Sequence, residues 1–408
     1  MNMDLPKQVE NIINTLNKAG YEAYAVGGCV RDSILHVQPK DWDITTSALP
    51  DQVKALFERT IDTGIEHGTV TVMDGKEGFE VTTYRVDGEY EDGRHPKDVT
   101  FSASLEEDLK RRDFTINAMA YHPQQGLVDL FGGIEDLNHK KIRCVGDAKE
   151  RFHEDALRIL RAVRFSAQLG FEIESDTQTA MGLLSSRLSM VSVERIYTEI
   201  SKLLSSDYPQ KLSYAYENGV MDVVLPELKE KAKDDKQLHE IYQKLANSPK
   251  DLWVRLTLLF LNLLEGKGDE KGEQVQKILR RLKTDLYTIK LVRRLTELGD
   301  YDAEANQVAL RRFLAAYGKD IFDRYIAVRK AQTGKEYLDL IKIRDEILEQ
   351  KDATSIKELE INGKDVLALG VKQGKEVGVI MNRLLEEVLV KPELNKKHIL
   401  EEMVRSWI

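Results

Sequence analysis

The chain has 408 residues, 42% apolar and 32% charged, with a formal charge of −9; this describes a globular protein long enough for two or more domains and argues against indiscriminate nucleic-acid binding over its whole surface. Two cysteines, Cys29 and Cys144, are too few for a disulfide framework or a cysteine zinc site, and the eight histidines form no HExxH pattern, which argues against zinc chemistry and fits a reducing compartment. No apolar run is long enough to cross a membrane, and the polar start MNMDLPKQVENI does not suit a signal peptide, so a cytoplasmic location is expected.

Leu5 to Lys18 carries Val9, Ile12, Ile13 and Leu16 at helical spacing, and Gly20 ends it. Tyr24 to Val26 reads as the end of a strand, followed by Gly27-Gly28, where a backbone without β-carbons turns sharply and approaches a ligand closely. A helix opening at Cys29 to Asp32 would aim free N–H groups above Gly28, and Arg31 adds positive charge, so a phosphate is the natural occupant. A second strand is read at Asp41 to Ile44, whose alternation puts Asp41 and Asp43 on one face and Trp42 and Ile44 on the other. Two carboxylates on one face repel unless a cation lies between them, and Mg²⁺ held by them and by substrate phosphates suits that arrangement. Taken singly, the glycine pair is also a plain turn and the Asp-x-Asp a solvated strand edge.

Pro50 to Phe57 reads as a short helix, and Thr69 to Met73 and Phe79 to Tyr84 as a hairpin around Asp74-Gly75. Glu80 on that hairpin is either a third metal-binding carboxylate or an exposed charge. The polar, glycine-punctuated RVDGEYEDGRHP, Arg85 to Pro96, predicts a mobile loop. The next helix is read to contain Arg111, Arg112 and Asp113, with Asn117 close behind: donors for a triphosphate and acceptors for a ribose hydroxyl, or a solvated basic helix end. A strand from Lys141 to Val145 closes an α/β head.

A long helix is expected from Asp147, with Glu154, Asp155, Arg158, Arg161 and Arg164 as a ridge of charge. Asp155 and Arg158 stand at (i, i+3) and present an acceptor beside a donor fork, or form an intrahelical salt bridge. Cytosine and adenine each show an amino donor beside an acceptor, whereas uracil and guanine place a carbonyl where the amino group should be. A carboxylate–guanidinium pair therefore suits the first two bases and rejects the others. Three-residue steps drift by about 60 degrees each, which turns Arg164 away from such a base.

Beyond Gly170 the reading is helical throughout, with a packing helix at Ser192 to Leu204 and a core helix at Leu252 to Leu264. GKGDEKGE, Gly266 to Glu273, reads as an exposed connection. Lys277, Arg280, Arg281, Lys283, Lys290, Arg293 and Arg294, followed by Arg311, Arg312, Arg329 and Lys330, form a candidate RNA track or ordinary solvated faces. Glycines through Ile361 to Gly378 read as structural turns.

GGCVRD, DWD, RRDFTINAMA and EDALRILRAVRF, in that order, resemble the class II tRNA nucleotidyltransferases, bacterial CCA-adding enzymes of the poly(A) polymerase-like superfamily. The resemblance implies a head of the DNA polymerase β-like nucleotidyltransferase fold followed by all-α neck, body and tail, seahorse-like in shape. The segments expected are head 1–146, neck 147–205, body 206–270 and tail 271–408. It assigns Asp41 and Asp43 to Mg²⁺ and catalysis, Gly28, Arg31 and Arg112 to the nucleotide and its triphosphate, and Asp113 to the ribose. Asp155 and Arg158 match the base-reading pair, Arg161 and Arg164 further nucleotide-site arginines. The implied activity is template-independent addition of C, C and A to tRNA from CTP and ATP. Partners are thus tRNA, CTP and ATP, with no membrane; a homodimer is open. Relatives that add only CC lack the loop seen here at Arg85 to Pro96, which favours full CCA addition, although His95 stands where an arginine is common. A-only addition, CC-only addition, poly(A) synthesis and a non-catalytic RNA-binding scaffold are the alternatives.

Overall fold

Residues 3–87, 99–102, 104–229 and 235–408 are described by a computed structural model. They form two units, Met1–Ala246 with Arg281–Thr284, and Asn247–Arg280 with Asp285–Ile408. In the first unit, helix α1 (Lys7–Lys18) buries Val9, Ile12, Ile13 and Leu16 on one stripe and leads into strand β1 (Ala23–Val26). Helix α2 (Gly28–Ile34), strand β2 (Asp43–Thr46) and helix α3 (Pro50–Leu56) follow. Strands β3 (Thr60–Gly64), β4 (Thr69–Asp74) and β5 (Glu77–Thr83) come next, and β4 and β5 form the expected hairpin. Strands β6 (Arg85–Asp87) and β7 (Val99–Phe101) pair antiparallel, so the loop read at Arg85 to Pro96 begins as a strand. Its remainder, including His95, lies outside the described residues.

After helix α4 (Leu105–Lys110), strands β8 (Met119–His122) and β9 (Gly126–Asp129) complete a sheet of order β3-β4-β5-β2-β1-β8-β9. Every neighbouring pair in it is antiparallel except β2 and β5. Helix α5 (Gly133–Asn138) and strand β10 (Lys141–Ile142) precede helices α6 (Ala148–Glu154) and α7 (Leu157–Leu169). The continuous helix expected from Asp147 is therefore two, because Asp155 adopts extended backbone (φ −138°, ψ 104°) between them. The chain beyond Gly170 is not helical throughout either: strand β11 (Glu172–Ile173) pairs parallel with β10. Helices α8 (Ser175–Leu184), α9 (Val193–Leu204), α10 (Ser213–Glu217), α11 (Val220–Val224) and α12 (Asp235–Ala246) complete the unit.

The second unit is helical: α13 (Leu252–Leu263), α14 (Asp269–Arg281), α15 (Leu286–Glu297), α16 (Gln307–Thr333), α17 (Leu338–Glu349), α18 (Gly363–Ala368), α19 (Lys375–Val390) and α20 (Lys397–Trp407). One core gathers Leu291, Leu295, Phe313, Phe322 and Tyr325, and a second gathers Val366, Leu384, Val388, Leu400 and Val404. Of the stretch read as an exposed connection at Gly266 to Glu273, Gly266 to Gly268 links α13 to α14 as expected, while the rest is the first turn of α14, where Asp269 and Glu270 are exposed and Lys271 is buried.

The basic residues read as an RNA track are mostly paired. Arg293 and Arg294 share Glu297, Arg311 binds Asp352, Arg312 binds Glu386, Arg329 binds Asp302 and Lys330 binds Glu336. In the first unit Arg281 meets Glu227 and Lys283 meets Glu194. Lys277, Arg280 and Lys290 have no ion pair among the described residues.

Candidate active site

Strand β1 ends at Val26, and the chain turns at Gly27 with φ +83° and ψ −130°, a conformation that a side chain strains. The Gly27 N–H donates to the Met119 carbonyl at 3.1 Å, fixing the turn against β8. Space adds to this, since a β-carbon at Gly27 would sit 3.1 Å from Arg112 Nη1 and the guanidinium would have to shift by a few tenths of an ångström. The Arg31 N–H is the first to bond back along α2, to Gly27 O at 3.1 Å. The amides of Gly28, Cys29 and Val30 therefore precede the helical ladder.

Across β1 and β2, Val26 is the register partner of Asp43, and across β2 and β5, Asp43 is the partner of Glu80. The glycine turn and the acidic strand are thus neighbours by register. The strand begins at Asp43, two residues later than the sequence suggested, yet Asp41 and Asp43 are exposed while Trp42 and Ile44 are buried, as alternation requires. The acidic residues border a cleft of about 640 Å³ lined by Trp42, Phe79, Asp41, Asp43, Glu77 and Glu80. Although the Asp43 side chain opens to solvent, the protein packed around it strips water from the carboxyl and pushes it above its ordinary value, with Arg112 opposing and Glu80 and Asp41 adding. Among the described residues no three His, Cys, Asp or Glu side chains gather closely enough to hold an ion alone. Mg²⁺ does not need such a cage, because it binds through one or two carboxylates and substrate phosphates, which this donor set fits.

Arg111 and Arg112 lie just past α4 rather than within it. Both are held by Asp108, which is fully buried: Arg111 Nε and Nη2 reach Oδ1 at 3.0 and 2.7 Å, and Arg112 Nη2 reaches Oδ2 at 3.2 Å. Thr45 of β2 donates to the same Oδ2 at 3.1 Å. Burial would push the Asp108 carboxyl up, but Arg112 and Arg111 hold it below the usual carboxylate range. Arg112 Nε is buried without a hydrogen-bond partner among the described residues.

A second network runs from the glycine turn to α7. Arg31 gives Nε and Nη2 to Asp32 at 2.8 and 2.7 Å and Nη1 to Asn117 Oδ1 at 2.7 Å. Asn117 Nδ2 donates to Asp113 Oδ1 at 3.2 Å, and Arg161 Nε donates to Asp113 Oδ2 at 2.8 Å. Burial would push the Asp113 carboxyl up, but Arg161, with Asn117 and Arg158 adding, holds it down to about 2. Asp113 is therefore a hub for protein donors, also accepting from Phe114 N at 2.9 Å, and much of its capacity for a ribose is already taken.

Asp155 and Arg158 are satisfied by different partners, which removes the intrahelical salt bridge as the reading of that pair. Asp155 Oδ1 accepts from Leu157 N at 3.0 Å, opening α7, and Oδ2 accepts from Arg195 Nη2 at 2.8 Å. Arg158 Nη1 meets Glu154 Oε2 at 2.6 Å, and Nη2 meets the Arg111 carbonyl at 2.9 Å. Arg164 faces α9, as the drift around the helix implies, where its Nε binds buried Glu199 at 2.5 Å.

Sequence reasoning missed Asp108, Arg195 and Glu199. A signal existed for the first, an acidic residue three and four positions before an arginine pair, since that spacing shares a helix face. For Arg195 and Glu199 the (i, i+4) spacing pointed equally to a pair with each other. Cys29 and Cys144 are buried, and burial pushes their thiols up to about 11 and about 12, so neither is a nucleophile.

The site defines a nucleotidyltransferase head: residues 23–143 match the model of the poly A polymerase head domain. Residues 170–231 match the "Probable RNA and SrmB- binding site of polymerase A", and 247–404 match tRNA nucleotidyltransferase domain 2. The chain belongs to the CCA-adding enzyme family: it is 37% identical over 397 residues to the CCA-adding enzyme of Levilactobacillus brevis, covering 96% of each chain. It is 36% identical to that of Ligilactobacillus salivarius, over 98% of this chain and 96% of the relative. The crystal structure of the Bacillus stearothermophilus CCA-adding enzyme in complex with CTP superposes with a TM-score of 0.83 at 34% identity, covering 99% of this chain and 98% of that one. The family as a whole uses divalent metal.

Proposed function

We propose that the chain adds C, C and A to the 3′ end of tRNA without a template, consuming CTP and ATP and releasing pyrophosphate. The observation that supports this most is the separate anchoring of Asp155 and Arg158 by Arg195 and Glu154. A carboxylate and a guanidinium each held by its own partner offer a fixed acceptor and donor to a base edge, in place of a template strand. Cytosine and adenine meet that pair with their amino group and adjacent acceptor; uracil and guanine turn a carbonyl against the carboxylate.

The remaining roles follow the chemistry of each group. Asp41 and Asp43 would hold Mg²⁺, with Glu80 tuning Asp43 from the next strand; such a cation would supply the charge that lowers the pKa of the attacking hydroxyl and offsets charge on the phosphates. Gly28, Arg31, Arg112 and Arg161 face the nucleotide phosphates, Asp113 orients Arg161 as well as serving the ribose, and Arg164 braces α7 from behind. Lys277, Arg280 and Lys290, the members of that basic stretch with no ion pair among the described residues, are the best candidates for tRNA phosphates. Along the chain the head is 1–146 and the neck 147–205, with body and tail following; the boundary expected between 206–270 and 271–408 falls inside α14, and the first unit gives way to the second at Ala246–Asn247 instead. No helix among the described residues is long and apolar enough to cross a membrane, and a cytoplasmic location suits a tRNA substrate.

The test offers tRNA ending at the discriminator base, at C and at CC, with CTP and ATP separately and together. Growth to CCA and no further supports the proposal. Arrest at CC, addition of A only to the CC-ended tRNA, or A-tracts of open length would each replace it.

A further inference from the structure

One phenyl ring lies among three guanidinium groups. Arg31 of α2, and Arg161 and Arg164 of α7, place their Cζ atoms 5.2, 5.3 and 3.9 Å from the centroid of Phe165. Phe165 is buried and meets Phe114 edge to face, centroids 5.8 Å apart at 80°. Each cation keeps its own acid, Asp32, Asp113 and Glu199 respectively.

Three like charges around one point repel, and burial removes the water that would screen them. The ring answers with the negative face of its quadrupole, which attracts a guanidinium stacked on it. A guanidinium attracted to a ring through its π-system keeps its N–H groups for other partners. Arg161 uses Nε and Nη2 on Asp113, and Nη1 has no hydrogen-bond partner among the described residues, while its side chain is 34% exposed. Arg164 is closed in by Glu199 and Gln168. A leucine at 165 would fill space without compensating any charge.

We propose that Phe165 is a positioning residue for the nucleotide, its ring holding Arg31 and Arg161 at fixed spacing so that the free edge of Arg161 meets the triphosphate of incoming CTP or ATP. The inference rests on the reading of Arg161 as a nucleotide-site arginine. Nothing in it requires Phe165 to touch substrate.

The test replaces Phe165 in the full chain with mono-, tri- and pentafluorophenylalanine, which keep the shape of the ring while draining its negative face, alongside Phe165→Tyr and Phe165→Leu. Steady-state KM and kcat, CTP affinity by calorimetry and the thermal midpoint are measured for each. The expected result is a KM for CTP and ATP that climbs with fluorine number, by about three- to tenfold at pentafluoro, with kcat and thermal midpoint nearly constant. Phe165→Tyr should bind CTP like the parent, and Phe165→Leu should lose both affinity and stability. A fluorine series with flat CTP affinity, or losses that only follow the thermal midpoint, would overturn the proposal. Arg161→Met separates the two levels: if it leaves CTP affinity unchanged, the nucleotide-site reading of Arg161 falls and takes the proposal with it. If it weakens binding while the fluorine series stays flat, only the role of the ring falls.

Discussion

Asp155 and Arg195, forty residues apart, form an ion pair at 2.8 Å. The same carboxylate caps the start of α7 through Leu157 N, so one side chain ends a helix break and is aimed by another helix. Arg195→Ala should therefore act on base choice without removing either proposed reader, raising UTP incorporation relative to CTP by about tenfold. Arg158→Ala should do the same or more. A misincorporation assay with each nucleoside triphosphate alone decides it, and variants that reject UTP as firmly as the parent would sink base reading by this pair.

Asp41→Ala and Asp43→Ala should lower turnover by at least about a hundredfold, since each removes a carboxylate from the proposed metal site. Affinity for tRNA should stay within roughly twofold, because phosphate contacts elsewhere dominate it. Single-turnover extension beside filter binding of tRNA reads both quantities. Normal extension by either variant would refute the assignment.

Gly27 and Gly28 are adjacent and not equivalent. Gly27→Ala meets both a positive φ and Arg112 Nη1 at 3.1 Å, and should cost about 1–2 kcal/mol of stability together with nucleotide affinity. At Gly28 a β-carbon finds only Arg31 Nη2 at 3.6 Å, an ordinary contact, so Gly28→Ala should fold as the parent does. Urea titrations of the two variants should differ accordingly, and equal losses would contradict the geometry.

Asp113 carries a pH dependence. Its carboxyl is held down to about 2 in the folded chain, so the stability it contributes is complete above the ordinary aspartate value near 4 and disappears as pH falls from about 4 to about 2. The size is about 2 kcal/mol. Unfolding free energies of the parent and Asp113→Asn should differ at neutral pH and converge in acid. Parallel curves across that window would exclude the linkage.

Much of the head was legible because its signals are local. The glycine pair after a short apolar strand marked a turn, and alternation around Trp42 and Ile44 sorted the acids onto one face. Helical spacing likewise turned Arg164 away before its partner Glu199 was known. What failed was continuity: periodicity runs straight through Asp155, since the break there comes from a capping bond and a distant arginine that no window of sequence contains. The partners of the basic stretches were out of reach for the same reason, because the acids that neutralise Arg311, Arg312 and Arg329 lie 41, 74 and 27 positions away.

Arg158 reaches the segment of the paired arginines through the main-chain oxygen of Arg111. A carbonyl is present whatever residue occupies that position, so this tie is indifferent to genetic variation at 111. Selection can therefore alter the side chain there, and with it the grip on Asp108, while the link to α7 persists unchanged.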